Sequence, residues 1–405
     1  MSRRNGKTRD LSREWQLHLY AIDSYSYAPM QRAAVLALED GSTFWGEAFG
    51  DATDAGAEVV FNTSMTGYQE VTTDASYRGQ IVVFTYPLIG NYGVFPRAAE
   101  SRRPWAEAIV VRELNEPARA GVDGLDGYLR AHGIPGLAGV DTRALVRLLR
   151  SKGTLRGHLL QVRPDRAGDP ALVVQAVERA RAVPVLSERR VVAEVSGTVR
   201  ETLGAADGAR IALLDTGVKE NQVRLLAARG ATVKLFPASA RASDILGWRP
   251  DGILLSNGPG DPAALSEVVR TTRHLLDATM TRGTGHPLPI LGICLGHQLI
   301  GRAIGATTSR LPFGHHGANH PVQDVRNGRV TITSQNHQFQ VDERSIDPTS
   351  GFFVSHRNLN DGSVEGLAHR TLPVRTVQFH PEAAPGPEDN RYVFDDFLAL
   401  IRRSA

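Results

Sequence analysis

Beyond residue 209 the chain alternates short apolar runs with stretches whose apolar positions recur at helical spacing. Segments 211–214, 233–236, 253–255 and 288–293 read as buried strands, while 263–278 and the set Leu299, Ile300, Ala303, Ile304 read as helices. This alternation predicts an α/β domain over 210–405: a flavodoxin-like, mostly parallel sheet with helices on both faces, whose ligand-facing residues sit at the carboxyl ends of strands. Residues 33–182 are patterned differently and predict a smaller mixed α/β domain. There Ala33, Val35 and Ala37 on one side and Phe44, Gly46 and Ala48 on the other flank the turn Glu39-Asp40-Gly41-Ser42 as a hairpin, and 80–85 reads as a strand. Asp141 caps a helix that turns Leu145, Leu148 and Leu149 inward and closes at Gly153. Segment 183–209, with Pro184, Arg189 and Arg190 among small residues, reads as a linker.

Residues 1–32 depart from both patterns. Arg3, Arg4, Lys7, Arg9 and Arg13 stand against Asp10 and Glu14 without the apolar core of a signal peptide, so a disordered extension is expected. Composition, 41% hydrophobic and 22% charged, fits a globular protein of two or three domains. No apolar run approaches about 18 residues, so no membrane helix is expected, and the predicted setting is cytoplasmic. The 46 basic and 43 acidic residues leave a net charge of +3, too even to argue for nucleic acid. Only Lys7, Lys152, Lys219 and Lys234 are lysines; arginine supplies the other cations, which reads as a compositional bias.

Cys294 is the only cysteine, so an internal disulfide is excluded. It falls between the run Pro287-Leu288-Pro289-Ile290-Leu291 and the following helix, with Gly292 and Gly296 relieving the crowding of a sharp strand-to-helix turn, the logic of a nucleophile elbow. The positive end of the helix favours a thiolate there. A lone cysteine is otherwise a small buried hydrophobe; the two glycines reverse that preference.

A thiolate needs a proton carrier, and Val374-Arg375-Thr376-Val377-Gln378-Phe379-His380-Pro381-Glu382 supplies one. Alternation puts Gln378 and His380 on one face, and Pro381 ends the strand at the imidazole. Glu382 then lies within reach to orient the ring while its other nitrogen serves Cys294. Among the rival histidines, His297 points from the helix flank toward the sheet, and His337 has no carboxylate near it in sequence. His315, His316 and His320, separated by Gly and Asn, read as loop residues, and with no ligand-spaced acid no metal site is expected. The loop Ser256-Asn257-Gly258-Pro259-Gly260-Asp261-Pro262, following a strand over 251–256, offers close backbone approach to a ligand. The N–H groups of Gly260 and Leu295 are candidates for an oxyanion hole, although the same string is also a good turn.

Three strings in this order, Ser-Asn-Gly-Pro-Gly-Asp-Pro, Gly-Ile-Cys-Leu-Gly-His-Gln and His-Pro-Glu, resemble the class I (triad) glutamine amidotransferase domain. Phe61-Asn62-Thr63-Ser64-Met65-Thr66-Gly67-Tyr68-Gln69-Glu70, Thr85-Tyr86-Pro87-Leu88-Ile89-Gly90-Asn91 and the segment from Phe313 to Pro321 narrow the resemblance to the small, glutaminase subunits of carbamoyl-phosphate synthases. It covers roughly everything after residue 32, which makes Met30 the expected start of translation. The resemblance implies a catalytic triad of Cys294, His380 and Glu382, and glutamine contacts at Ser76, Gly258, Gly260, Leu295, Gln298, Asn336, Gln338 and Phe339. It also implies that residues 33–182 dock on a large partner subunit, to which ammonia passes for synthesis of carbamoyl phosphate from bicarbonate and ATP, used in arginine and pyrimidine biosynthesis. No cofactor is implied in this chain. ATP and magnesium belong to the large subunit, in keeping with the lack of a Gly-x-x-x-x-Gly-Lys-Ser/Thr loop. Two features depart from the family pattern: Gln338 replaces the usual glycine, and 280–286 is a longer stretch expected to be a surface loop. The alternatives are the glutaminase of another synthase complex, or a docking subunit with an impaired glutamine pocket.

Overall fold

The computed structural model describes residues 32–117, 121–281 and 287–404. Seven strands of the N-terminal region, Ala33–Leu38, Thr43–Gly50, Ala55–Asn62, Gln80–Phe84, Ala108–Val110, Pro135–Ala138 and Leu155–Val162, close into a barrel. The first two form the expected hairpin, with Ala33 opposite Glu47 and Ala37 opposite Thr43. Leu36, Val59, Ile81, Leu137 and Leu159 fill the interior. Gly157 makes room among them, since a Cβ there would stand 2.5 Å from Val59 Cγ2. The helix Thr142–Lys152 has Asp141 as its cap, accepting from the Ala144 N–H at 2.9 Å, and buries Leu145 and Leu149, whereas Leu148 is only half-buried. The region is mixed α/β as expected, and its sheet closes into a barrel because the last strand pairs with both Ala33–Leu38 and Ala55–Asn62.

The second sheet corrects the expectation of a mostly parallel, flavodoxin-like arrangement. Five neighbouring strands, Thr232–Pro237, Arg210–Asp215, Gly252–Leu255, Ile290–Ile293 and Val374–Val377, are parallel. The sheet has ten strands, however, and the rest are antiparallel: Val364–His369, Phe352–Asn358, Thr308–Asp324 and Val330–Val341 extend one edge, and Arg200–Thr202 the other. Apolar clusters cover both faces, one under the helices Ser266–Thr281 and Leu295–Ala303, the other under Glu220–Ala228 and Tyr392–Ser404.

Three further segments differ from the expectation. Segment 183–209 holds the helix Val191–Val195 and the edge strand Arg200–Thr202 rather than a bare linker. His315, His316 and His320 lie on a strand and not in a loop, with His315 opposite His337 and His316 opposite Asn336. The helix expected over 263–278 is a short 3₁₀ turn, Pro262–Ala264, followed by Ser266–Thr281. Of the expected N-terminal extension only Arg32 is described, its guanidinium donating to Gly50 O at 2.8 Å and Asp51 O at 2.7 Å; residues 1–31, Met30 included, and most of 280–286 lie outside the described residues. Among the described residues no helix is long and apolar enough to cross a membrane.

Candidate active site

Cys294 sits between the strand Ile290–Ile293 and the helix Leu295–Ala303 with φ 52° and ψ −105°, a conformation non-glycine residues rarely adopt. The turn is held by Cys294 N–H donating to Val377 O at 2.9 Å. It also requires glycine beside the cysteine, because a Cβ at Gly296 would lie 2.1 Å from Leu255 O. The thiol donates to Asn336 O at 3.6 Å.

The neighbouring strand delivers the imidazole. It ends at Val377, earlier than the alternation predicted, and the chain bends so that His380 is placed instead by its N–H donating to Ser334 O at 2.9 Å. His380 Nδ1 and Glu382 Oε1 are 2.7 Å apart, both side chains buried. His380 Nε2 has no hydrogen-bond partner, and Cys294 acts on the ring electrostatically. Burial alone would depress the imidazole pKa, but the Glu382 carboxylate, helped by Cys294, outweighs it and raises the value. Burial opposes the charge on Glu382 in turn, and the His380 and Lys219 cations overcome it and hold the carboxyl well below its usual range.

Lys219 is the residue the sequence reading missed here. Its side chain is 2% exposed, and Nζ lies 3.5 Å from Glu382 Oε1 and 3.9 Å from Asp74 Oδ2 while donating to Ala383 O at 2.6 Å. Asn221 Nδ2 donates to Glu382 O at 2.6 Å, so both polar groups of the turn after His380 are tied to one helix start. Ala383 and Ala384 take positive φ of 58° and 56° in that turn. A lysine kept in an arginine-dominated chain was the one signal pointing to Lys219.

The barrel supplies the facing wall. Asn257 Nδ2 donates to Ser76 Oγ at 3.0 Å, and Asn336 Nδ2 to Asp74 Oδ2 at 3.1 Å, so these two residues clamp the domains together beside the thiol. Ser76, Gly258, Gly260, Cys294, Gln298, Asn336, Gln338 and Phe339 line one cleft. Leu295 is outside that lining: its side chain packs in the apolar cluster with Leu255 and Leu299. Its N–H, at the first position of the helix, has no intrahelical acceptor. Gly258 permits a backbone approach no other residue would, a Cβ there meeting Thr216 O at 2.0 Å. Gln298 is held by Phe339 O, to which its Nε2 donates at 2.8 Å.

The remaining histidines are structural in their contacts. His297 faces the sheet, with Nδ1 2.7 Å from Thr376 Oγ1, and burial lowers its pKa to about 3. His337 does have a carboxylate beside it, Glu365, and with His315 these groups offer ligand atoms within 4.8 Å of one another. Both Glu365 oxygens already accept, from Gln335 Nε2 and Asn358 Nδ2, each at 2.9 Å. Burial opposes charge on His315, but Asp361 and Glu365 outweigh it and push its pKa up to about 9. The group reads as a closed hydrogen-bond network.

A cysteine at a strained elbow after a central parallel strand, with a buried histidine–carboxylate pair just beyond the end of the next strand, defines an amidotransferase-type domain, and residues 212–400 match the family model described as Glutamine amidotransferase class-I. Residues 36–159 match the model described as Carbamoyl-phosphate synthase small chain, CPSase domain. The chain is 50% identical to the carbamoyl phosphate synthase small chain of Symbiobacterium thermophilum, over 91% of this chain and 98% of that one. It is 48% identical to the same-named chain of Methanopyrus kandleri, over 91% and 99%. The chain belongs to the carbamoyl-phosphate synthase small chain family.

Proposed function

We propose that this chain is the glutaminase subunit of a glutamine-hydrolysing carbamoyl-phosphate synthase, acting through Cys294, His380 and Glu382. The observation that carries this reading is the 2.7 Å contact of His380 Nδ1 with Glu382 Oε1, which leaves Nε2 for the thiol. Cys294 Sγ attacks the side-chain amide carbon of L-glutamine, and the thiol proton resides on His380, whose imidazolium the buried carboxylate favours. Backbone N–H groups of Gly260 and Leu295 stabilise the oxyanion. Collapse of the tetrahedral intermediate breaks the C–N bond as His380 gives its proton to the departing nitrogen, releasing ammonia and leaving a glutamyl thioester. Water, deprotonated by His380, then hydrolyses the thioester to glutamate and restores the thiol.

Ammonia passes to a large partner subunit docked on the barrel domain, which uses ATP, magnesium and bicarbonate to make carbamoyl phosphate for arginine and pyrimidine synthesis in the cytoplasm. The barrel match at 36–159 favours this complex over other glutamine-dependent synthases. The test is glutamate release by the chain mixed with the large subunit of the same organism, with ATP and bicarbonate. Glutamate matched by carbamoyl phosphate is the expected result; ammonia-supported synthesis without glutamate release would indicate a docking subunit with a disabled pocket.

A further inference from the structure

The cleft beside Cys294 contains two buried amides whose hydrogen bonds are incomplete. Gln338 Nε2 and Gln80 Oε1 have no partner, although the two residues are only 4% and 3% exposed and both line the cleft. Other polar side chains of the same wall are already engaged, Ser76 by Asn257, Asn336 by Asp74 and Gln298 by Phe339.

The orientation of Gln338 is fixed by chemistry. Arg310 donates to its Oε1, and a guanidinium has only donors, so the free end is the –NH2. Arg310 is itself held by Glu58, accepting at 3.0 Å through Oε1 and again through Oε2. Glu58 and Gln80 are paired neighbours on adjacent barrel strands. The four residues thus form one patch across the seam between barrel and sheet, with the Glu58 charge neutralised by Arg310. The buried atoms of this patch left without a partner are one donor, Gln338 Nε2, and one acceptor, Gln80 Oε1. Leaving such groups buried without partners is costly, and a ligand that satisfies both is strongly selected.

We infer that the Gln338 –NH2 binds the α-carboxylate, and the Gln80 amide oxygen the α-ammonium, of the substrate amino acid, so that these side chains select a free α-amino acid at the end remote from Cys294. This rests on the glutaminase reading above and deepens it. It also gives the departure from glycine at 338 a use: the side chain turns to Arg310 and brings a donor that glycine lacks.

Two truncated analogues separate the contacts: glutaramate, which lacks the amino group, and 4-aminobutanamide, which lacks the carboxylate. In the complex with the large subunit, Gln338→Glu keeps the Arg310 contact but replaces the donor by a negative charge. It is expected to raise the KM for glutamine and the Ki of glutaramate about ten- to a hundredfold, with the Ki of 4-aminobutanamide not raised. Gln80→Leu is expected to do the reverse, weakening glutamine and 4-aminobutanamide but not glutaramate, and Gln80→Glu to restore binding of the ammonium. In every case kcat changes little, because the contacts are made equally in ground and transition states. Equal weakening of all three ligands, or of none, in a complex whose ammonia-dependent synthesis is intact would overturn the assignment while leaving the glutaminase reading standing. If the unmodified complex released no glutamate from glutamine, both would fall.

Discussion

The barrel and the ten-stranded sheet each bury two large apolar clusters, but they differ in where polar groups are left. The barrel has no strand edge, and its polar side chains near the site, Asp74, Ser76 and Gln80, sit where it meets the sheet domain. The sheet is open, and its parallel strands end in the loops that carry Cys294 and the segment to His380. The lesson is that Cys294 and His380 come from strand ends of the open sheet, while the closed barrel contributes by holding their surroundings. Domain closure then becomes part of the site.

Variants in the two regions put this division to the test. The largest effect belongs to the sheet: Cys294→Ser should lower glutamine-dependent glutamate formation by about a thousandfold or more, with ammonia-dependent synthesis by the complex preserved. Full retention of glutamine use would remove the nucleophile assignment. Next comes Asp74→Ala on the barrel side, which strips partners from Asn257, Asn336 and Lys219. Misplacing the thiol's surroundings should cost about a hundredfold in kcat/KM, and a loss below threefold would reduce the barrel to a mere scaffold.

Lys219→Met removes the cation between Asp74 and Glu382, leaving Asp74 without it and Glu382 with His380 alone. The expected cost is about 3–5 kcal/mol of stability, measured by urea unfolding. The buried pair also sets a pH dependence. The His380 pKa is raised from 6.5 to about 10, so its stabilising contribution is whole below pH 6.5 and is lost as pH rises toward 10. Urea midpoints at pH 7 and pH 9.5 should therefore fall more for the native chain than for His380→Asn; equal slopes would refute the ion pair. The smallest effect on glutamine hydrolysis is expected from Leu137→Ala in the barrel interior, about 2–5 kcal/mol of stability with kcat/KM within twofold, read by thermal unfolding and steady-state kinetics.

Local order was legible where neighbours in sequence decide it. The hairpin at 33–50, the helix capped by Asp141 and the elbow at Cys294 follow from turn chemistry, capping and the space that Gly292 and Gly296 leave, all acting within a few residues. The parallel strands were found by their apolar runs. The antiparallel extension was not, because strands over 308–369 mix histidines, glycines and polar residues on faces that are half-buried or satisfied by cross-strand partners. His315 through His320 looked like a loop for that reason.

By itself, then, the sequence determined the elbow that carries Cys294, the nearness of His380 to Glu382 and the alternation of the parallel strands, since each depends on spacing along the chain. Only the tertiary structure decided that the barrel closes, that Lys219 lies between Glu382 and Asp74, and that Gln338 is turned by Arg310 toward a seam shared with Glu58 and Gln80. Those contacts join residues far apart in the chain, and their strength comes from burial, which gives charges and amides partners no local pattern specifies.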